Sequence, residues 1–162
     1  MGEGQLIYPD KVALLDYQEE SGVLIVASKS NSVSLIQTNL GGILCSVDFA
    51  DLGPITVMKA HKFAPLVLLG FSNSIVLMSF KGVVVFEYAI PSITSDLKLY
   101  SAFWLNDYVT LGLNLVPAKE EDGEIGGQSF WLQLDLGLCL KKLCPTISDN
   151  CVSLSEMKYL YI

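Results

Sequence analysis

The chain of 162 residues has no arginine: its ten basic residues are all lysines, set against 17 acidic residues for a net charge of −7. A surface that tracks phosphates needs clustered positive charge, and planar bidentate recognition favours the guanidinium group. Nucleic acid is therefore not the expected partner, nor is an anionic membrane surface. Charge of either sign is sparse at 17% of residues, and 51% are hydrophobic, giving a mean hydropathy of +0.47. Long apolar runs are nevertheless missing. The longest, FAPLVLLGF at 63–71, falls far short of the roughly 18–20 residues that a spanning helix needs. The N-terminal stretch MGEGQLIYPDK lacks the basic start, apolar stretch and cleavage site of a secretory signal. Leu6 stands where a myristoylation motif opened by Gly2 wants Ser or Thr. A cytoplasmic protein with no transmembrane segment is the expectation.

Groups that carry chemistry are equally scarce. The four cysteines are Cys45, Cys139, Cys144 and Cys151, whose spacing matches no zinc site and has no secretory context for disulfides, so reduced structural thiols are expected. His61 is the single histidine, and any Ser/His/Asp or Cys/His site would have to use it. It follows a predicted strand and precedes Lys62, which suits a turn or a hydrogen-bonded core position better. Asp16, Asp48 and Asp51, candidates for paired hydrolytic carboxylates, lie at strand ends or turns, where Asp is common. GGIL at 41–44 and DGEIGG at 122–127 open no predicted helix and so make no phosphate cradle. The expectation is a non-enzymatic protein with no catalytic residue, metal or cofactor.

What the sequence does contain is a repeat. SNSVSLIQ at 30–37 and SNSIVLMS at 72–79 lie 42 residues apart. At that offset Leu24-Ile25-Val26 falls on Leu66-Val67-Leu68, and Asn31 on Asn73. Each copy reads as an apolar strand, a tight Ser/Asn turn and a second strand. A Gly turn and a further strand follow (43–49 and 83–90), and another strand precedes (11–17 and 55–61). Four strands in roughly 40–45 residues is the period of a β-propeller blade. A third unit has strands at 97–103, 107–113, 129–135 and 138–143, stretched by a polar excursion at 114–128. A fourth opens at 151–157 and 158–162. The predicted blades span about 11–50, 54–90 and 97–143, with a partial one at 150–162, after an N-terminal segment at 1–10.

GVLIVA at 22–27 and PLVLLG at 65–70 are apolar on both faces. A sheet with one wet face alternates apolar and polar residues, so these strands are expected to be covered on both sides, as in stacked blades. A β-trefoil is the rival all-β fold of this length; the doubly apolar strands and the fourth-unit start favour the propeller. Three and a half units are fewer than the four to eight blades of a typical ring, so an incomplete ring is expected.

The segment 55–80 resembles a degenerate WD-repeat blade. It has the apolar first strand, Pro65 before the second, Gly70, the Ser72-Asn73 turn and a third strand ending near Met78. It departs from that family in carrying Asn31 and Asn73 where the turn Asp belongs, Ile36 and Met78 in place of Trp, and no Gly-His pair. The resemblance implies a protein–protein interaction scaffold, of the kind used in membrane traffic or complex assembly. The alternative is a carbohydrate-binding or hydrolytic module on a propeller or trefoil. The partner-binding candidates are Glu120, Glu121, Asp122 and Glu124, an acidic loop suited to a basic partner, and Trp104 with Tyr108, an aromatic pair flanking a loop. Core packing is the favoured reading for Trp104 and Tyr108, and Trp131, in a third strand, is expected in the core. The expected partners are other proteins, further blades of a parent chain or a second copy.

Overall fold

The computed structural model describes residues 8–90, 97–117, 130–137 and 140, together with the backbone of 158–161. Three antiparallel four-stranded sheets follow one another along the chain. Blade 1 holds β1 (Val12–Gln18), β2 (Val23–Ser28), β3 (Ser32–Gln37) and β4 (Gly42–Asp48), hydrogen-bonded in that order. Blade 2 repeats it with β5 (Val57–Ala60), β6 (Leu66–Gly70), β7 (Ser74–Ser79) and β8 (Val84–Ala89). Blade 3 holds β9 (Leu97–Trp104), β10 (Thr110–Pro117), β11 (Phe130–Asp135) and β12 (Lys158–Tyr161).

Blade 2 is sandwiched between the other two. Side chains alternate across a strand, and β6 and β7 send their two sets to opposite neighbours. Val67, Leu69, Val76 and Met78 pack with Val23, Ile25, Ala27, Val33 and Leu35 of blade 1. Leu66, Leu68, Ile75 and Leu77 pack with Leu99, Leu111, Leu113, Leu115 and Leu132 of blade 3. Every residue of β6 is buried, which is why this strand shows no polar alternation. The first strands β1, β5 and β9 are the ones that approach one another along the stack. The fourth strands β4 and β8 contain no buried residue, so they form the outer rim. Face-to-face stacking of sheets with converging first strands is propeller packing, not a trefoil barrel.

The repeat is deeper than the quoted echo, and slightly different from it. Both third-to-fourth pairs carry a bulge at the same place. Leu35 pairs with Cys45 and Ile36 with Ile43, leaving Leu44 extra; Leu77 pairs with Phe86 and Met78 with Val84, leaving Val85 extra. The 42-residue offset therefore holds for β3 and β7. It fails by one residue for β2 and β6: Leu24 pairs with Ile36 and Val67 with Met78, so Leu24 corresponds to Val67, not Leu66. The second hairpin is one residue shorter. Asn31 takes a left-handed conformation (φ 71°), whereas Asn73 is not among the positive-φ residues.

Two other expectations are corrected. The second strand of blade 3 does not stop at 113: β10 continues to Pro117, with Leu115 paired to Leu99 and buried. The outer strand of blade 3 is not 138–143. Leu140 N–H donates to Leu136 O, a helical turn, and the place beside β11 is taken by Lys158–Tyr161. Residues 158–161 therefore complete blade 3 instead of contributing to a fourth unit. The rest of 138–143, and 151–157, lie outside the described residues.

Candidate functional site: the loops between first and second strands

The first-to-second-strand loops of the three blades meet at one end of the stack, and polar side chains join them. Gln18 ends β1 and is buried at 4% exposure. Its Nε2 donates to the carbonyl oxygens of His61 and, at 2.7 Å, of Ala64, both in the loop of blade 2. His61 follows β5 and is fully buried. Its ring nitrogen Nε2 lies 2.5 Å from Tyr108 O in the loop of blade 3. Gln18 and His61 occupy equivalent positions: Gln18 opposes Val23, and His61 N–H bonds to Leu66 O. Each blade thus ties its first loop to the next one. In blade 3 the equivalent residue, whose N–H bonds to Thr110 O, is Leu105, and the series of polar ties stops there.

The tautomer of His61 follows from its partners. Nδ1 accepts from the backbone N–H groups of Ala64 at 2.9 Å and Phe63 at 3.1 Å, so the ring proton sits on Nε2 and is donated to Tyr108 O. Burial holds the imidazole pKa below its ordinary value, against the upward pull of the Tyr108 carbonyl. Both nitrogens are engaged and the ring is sealed from solvent, so it has no free lone pair for general-base work. Of the carboxylates considered for hydrolysis, Asp16 accepts from the Ala60 and Tyr17 N–H groups and Asp48 Oδ1 from Ala50 N–H.

The sequence-derived aromatic pair gathers on this histidine. Trp104 stacks edge-on against His61 with centroids 4.8 Å apart, and Tyr108 lies 5.9 Å from it. Tyr108 has a left-handed backbone (φ 55°), which turns its carbonyl toward His61 and its ring toward Phe63 at 5.1 Å. Lys62 Nζ stands 5.4 Å from the centroids of both Phe63 and Tyr108, within cation–π range. Phe63 is 52% exposed. Asp107 completes the rim. Burial pushes its carboxyl pKa up, but bonds from Thr110 Oγ1 and the Thr110 and Val109 N–H groups outweigh this and hold it low.

Trp104 and Tyr108 are both half-buried against His61, and Tyr108 borders the exposed Lys62 and Phe63. Sequence reasoning missed Gln18, Lys62 and Phe63. The signal for Gln18 was a 43-residue spacing from His61, hidden by the one-residue slip of the repeat. Trp131 is not core; it lies 5.4 Å from Phe103 on the face of blade 3 away from blade 2. The acidic residues Glu120, Glu121, Asp122 and Glu124 lie outside the described residues.

No family model and no curated protein matches the chain. Among solved structures, 317 chains resemble it. One is the crystal structure of BamB from Moraxella catarrhalis, with a TM-score of 0.51 and 14% identity, covering 75% of this chain and 32% of that one. BamB is a β-propeller. The three sheets of this chain are propeller blades. The chain spans about a third of the length of that structure, so what is shared is blade architecture. No helix among the described residues is long and apolar enough to cross a membrane, and none of their His, Cys, Asp and Glu side chains cluster as a metal site.

Proposed function

We propose that this chain is a non-enzymatic protein–protein interaction scaffold of degenerate WD-like blades. The observation that carries the reading is the patch of exposed Lys62 and Phe63 beside half-buried Tyr108. It is mounted on loops that Gln18 and His61 tie from blade to blade, so partner contact costs little conformational entropy. Aromatic and cationic side chains around a rigid anchor are the composition of an interface centre. The finer parts of the proposal, a cytoplasmic location and a role in membrane traffic or complex assembly, rest on the WD-repeat resemblance. A second docking element is the acidic segment with Glu120, Glu121, Asp122 and Glu124, for a basic partner.

The test is affinity capture with the intact chain beside Phe63→Ala/Lys62→Glu and beside a chain whose residues 118–129 are replaced by a short Gly turn. The proposal expects a defined partner set with the intact chain. Part of that set is lost in each variant while the melting temperature is kept. Capture unchanged by both changes would remove both surfaces from the interface.

A further inference from the structure

His61 is bonded so that it cannot gain a proton and keep its loop. Nδ1 accepts from the N–H groups of Phe63 and Ala64, while Nε2 donates to Tyr108 O. An imidazolium carries N–H on both nitrogens and has no acceptor. A proton on Nδ1 would point at two backbone donors, and at 0% exposure the ring has no solvent to share its charge. The bond from Nε2 to Tyr108 O survives, because a charged donor strengthens it. The two sides of the ring thus respond differently to a proton. The contact with blade 3 is kept, and the blade 2 loop at 61–65 is let go. That loop carries Lys62 and Phe63, the exposed part of the loop patch.

The charged and titratable groups around the ring do not relieve this. On the blade 1 side they are Asp16, Glu19 and Glu20, flanking Gln18. On the ring's own strand and loop they are Lys59 and Lys62, and on the blade 3 side Asp107 and Tyr108. Among the described residues, the ring nitrogens bond to backbone groups and to none of these side chains. The Asp16 carboxylate is engaged by the Ala60 and Tyr17 N–H groups, and that of Asp107 by Val109 and Thr110. Lys62 adds a charge of the same sign as the imidazolium.

We propose that His61 is a proton switch for the 61–65 loop: the neutral ring holds Lys62 and Phe63 beside Tyr108, and the imidazolium releases them. That the switch also governs partner binding rests on the reading of the loop patch given above. In the released loop the ring titrates near the ordinary value of about 6.5. In the held loop burial keeps it lower. Acidification below about pH 6.5 therefore raises the ratio of released to held loop, by up to about tenfold per pH unit, until the held ring itself titrates. A partner that needs the patch is let go as the pH falls, and by linkage a bound partner lowers the His61 pKa further.

An NMR titration of the intact chain from neutral pH downward tests the switch without a partner. The Phe63 and Ala64 amide signals should move with the same midpoint as the His61 ring, and the Phe63–Tyr108 ring contact should fade with them. The amides of Leu68 and Leu77, buried in blade 2, should stay in place. In His61→Asn the loop should stay held, because an Asn side-chain oxygen accepts from N–H groups two or three residues on and does not titrate. Phe63 and Ala64 amides that ignore the ring's titration, or loop and core signals lost together, would overturn the switch. Affinity capture at pH 7 and about one unit below the midpoint adds the partner. Capture that depends on Phe63 should fall by about tenfold at the lower pH with the intact chain and persist with His61→Asn. Equal capture at both pH values would overturn the link to binding. If no partner depends on Phe63 at pH 7, the scaffold reading fails, and the NMR titration alone decides the switch.

Discussion

Blades 1 and 2 share a strand order, a bulge and a set of apolar positions, but among the described residues blade 2 has a neighbouring blade on both faces and blade 1 on one. Leu69 and Met78 are fully buried against a neighbour, while the equivalent Val26 and Ile36 are buried at the centre of a face whose edge residues, Leu15 and Tyr17, stand half exposed. The same side-chain chemistry therefore stabilises one blade and leaves the other with an open edge. In a stack of repeats, stability is a sum of terms within repeats and between neighbours. The middle blade receives two neighbour terms, and an end blade receives one.

Truncations should show this difference most strongly. Leu68 has no exposed surface and lies between blades 2 and 3. Leu68→Ala should cost about 3 kcal/mol in urea unfolding, the usual range for a buried leucine. Leu15→Ala on the open face should cost less than about 0.5 kcal/mol in dilute solution. Equal losses would mean that the two faces are equally covered.

Two glycines sharpen the comparison. A Cβ on Gly70 would stand 2.6 Å from Leu99 Cδ2 and 2.8 Å from Val57 Cβ, both locked between blades 2 and 3. Gly70→Ala should destabilise by about 1–3 kcal/mol. A Cβ on Gly112 would meet the Phe103 ring at 2.6 Å, but that ring lies on the open face of blade 3 and can swing aside. Gly112→Ala should therefore cost less than Gly70→Ala in paired thermal melts, and a reversed order would place Phe103 in a closed environment.

The smallest expected effect is on pH dependence. The folded-state pKa of His61 is below its ordinary value of 6.5, so just below that value the unfolded chain binds a proton that the folded chain does not. Stability should be fully present above about pH 6.5 and decline as the pH falls toward the folded-state value. His61 is the only histidine, so His61→Gln should abolish that slope in unfolding curves taken between pH 7 and 5.5. A slope that persists would belong to another group.

Much of this architecture was legible in the residues. The doubly apolar β2 and β6 announced sheets covered on both sides, and the Ser/Asn turns marked the hairpins. The same double apolarity concealed the register. When both faces of a strand are apolar, a one-residue slip leaves the pattern unchanged, so Leu24 could be set on Leu66 as readily as on Val67. The end of blade 3 was illegible for another reason: LCLKKL has the composition of a rim strand, and the competing KYLYI sits far along the chain. At the site, Trp104 and Tyr108 could be picked out as loop aromatics. Their assembly on His61 depends on blade stacking, which no local pattern encodes.

The central claim is that blade 2 is clasped between blades 1 and 3, and native-state amide hydrogen exchange on the dilute chain tests it most directly. The account predicts the slowest exchange in β6 and β7, faster exchange in β2 and β3, and the fastest among strands at the rim strands β4 and β8. Exchange in β2 and β3 as slow as in β6 and β7, or β6 and β7 opening first, would contradict it.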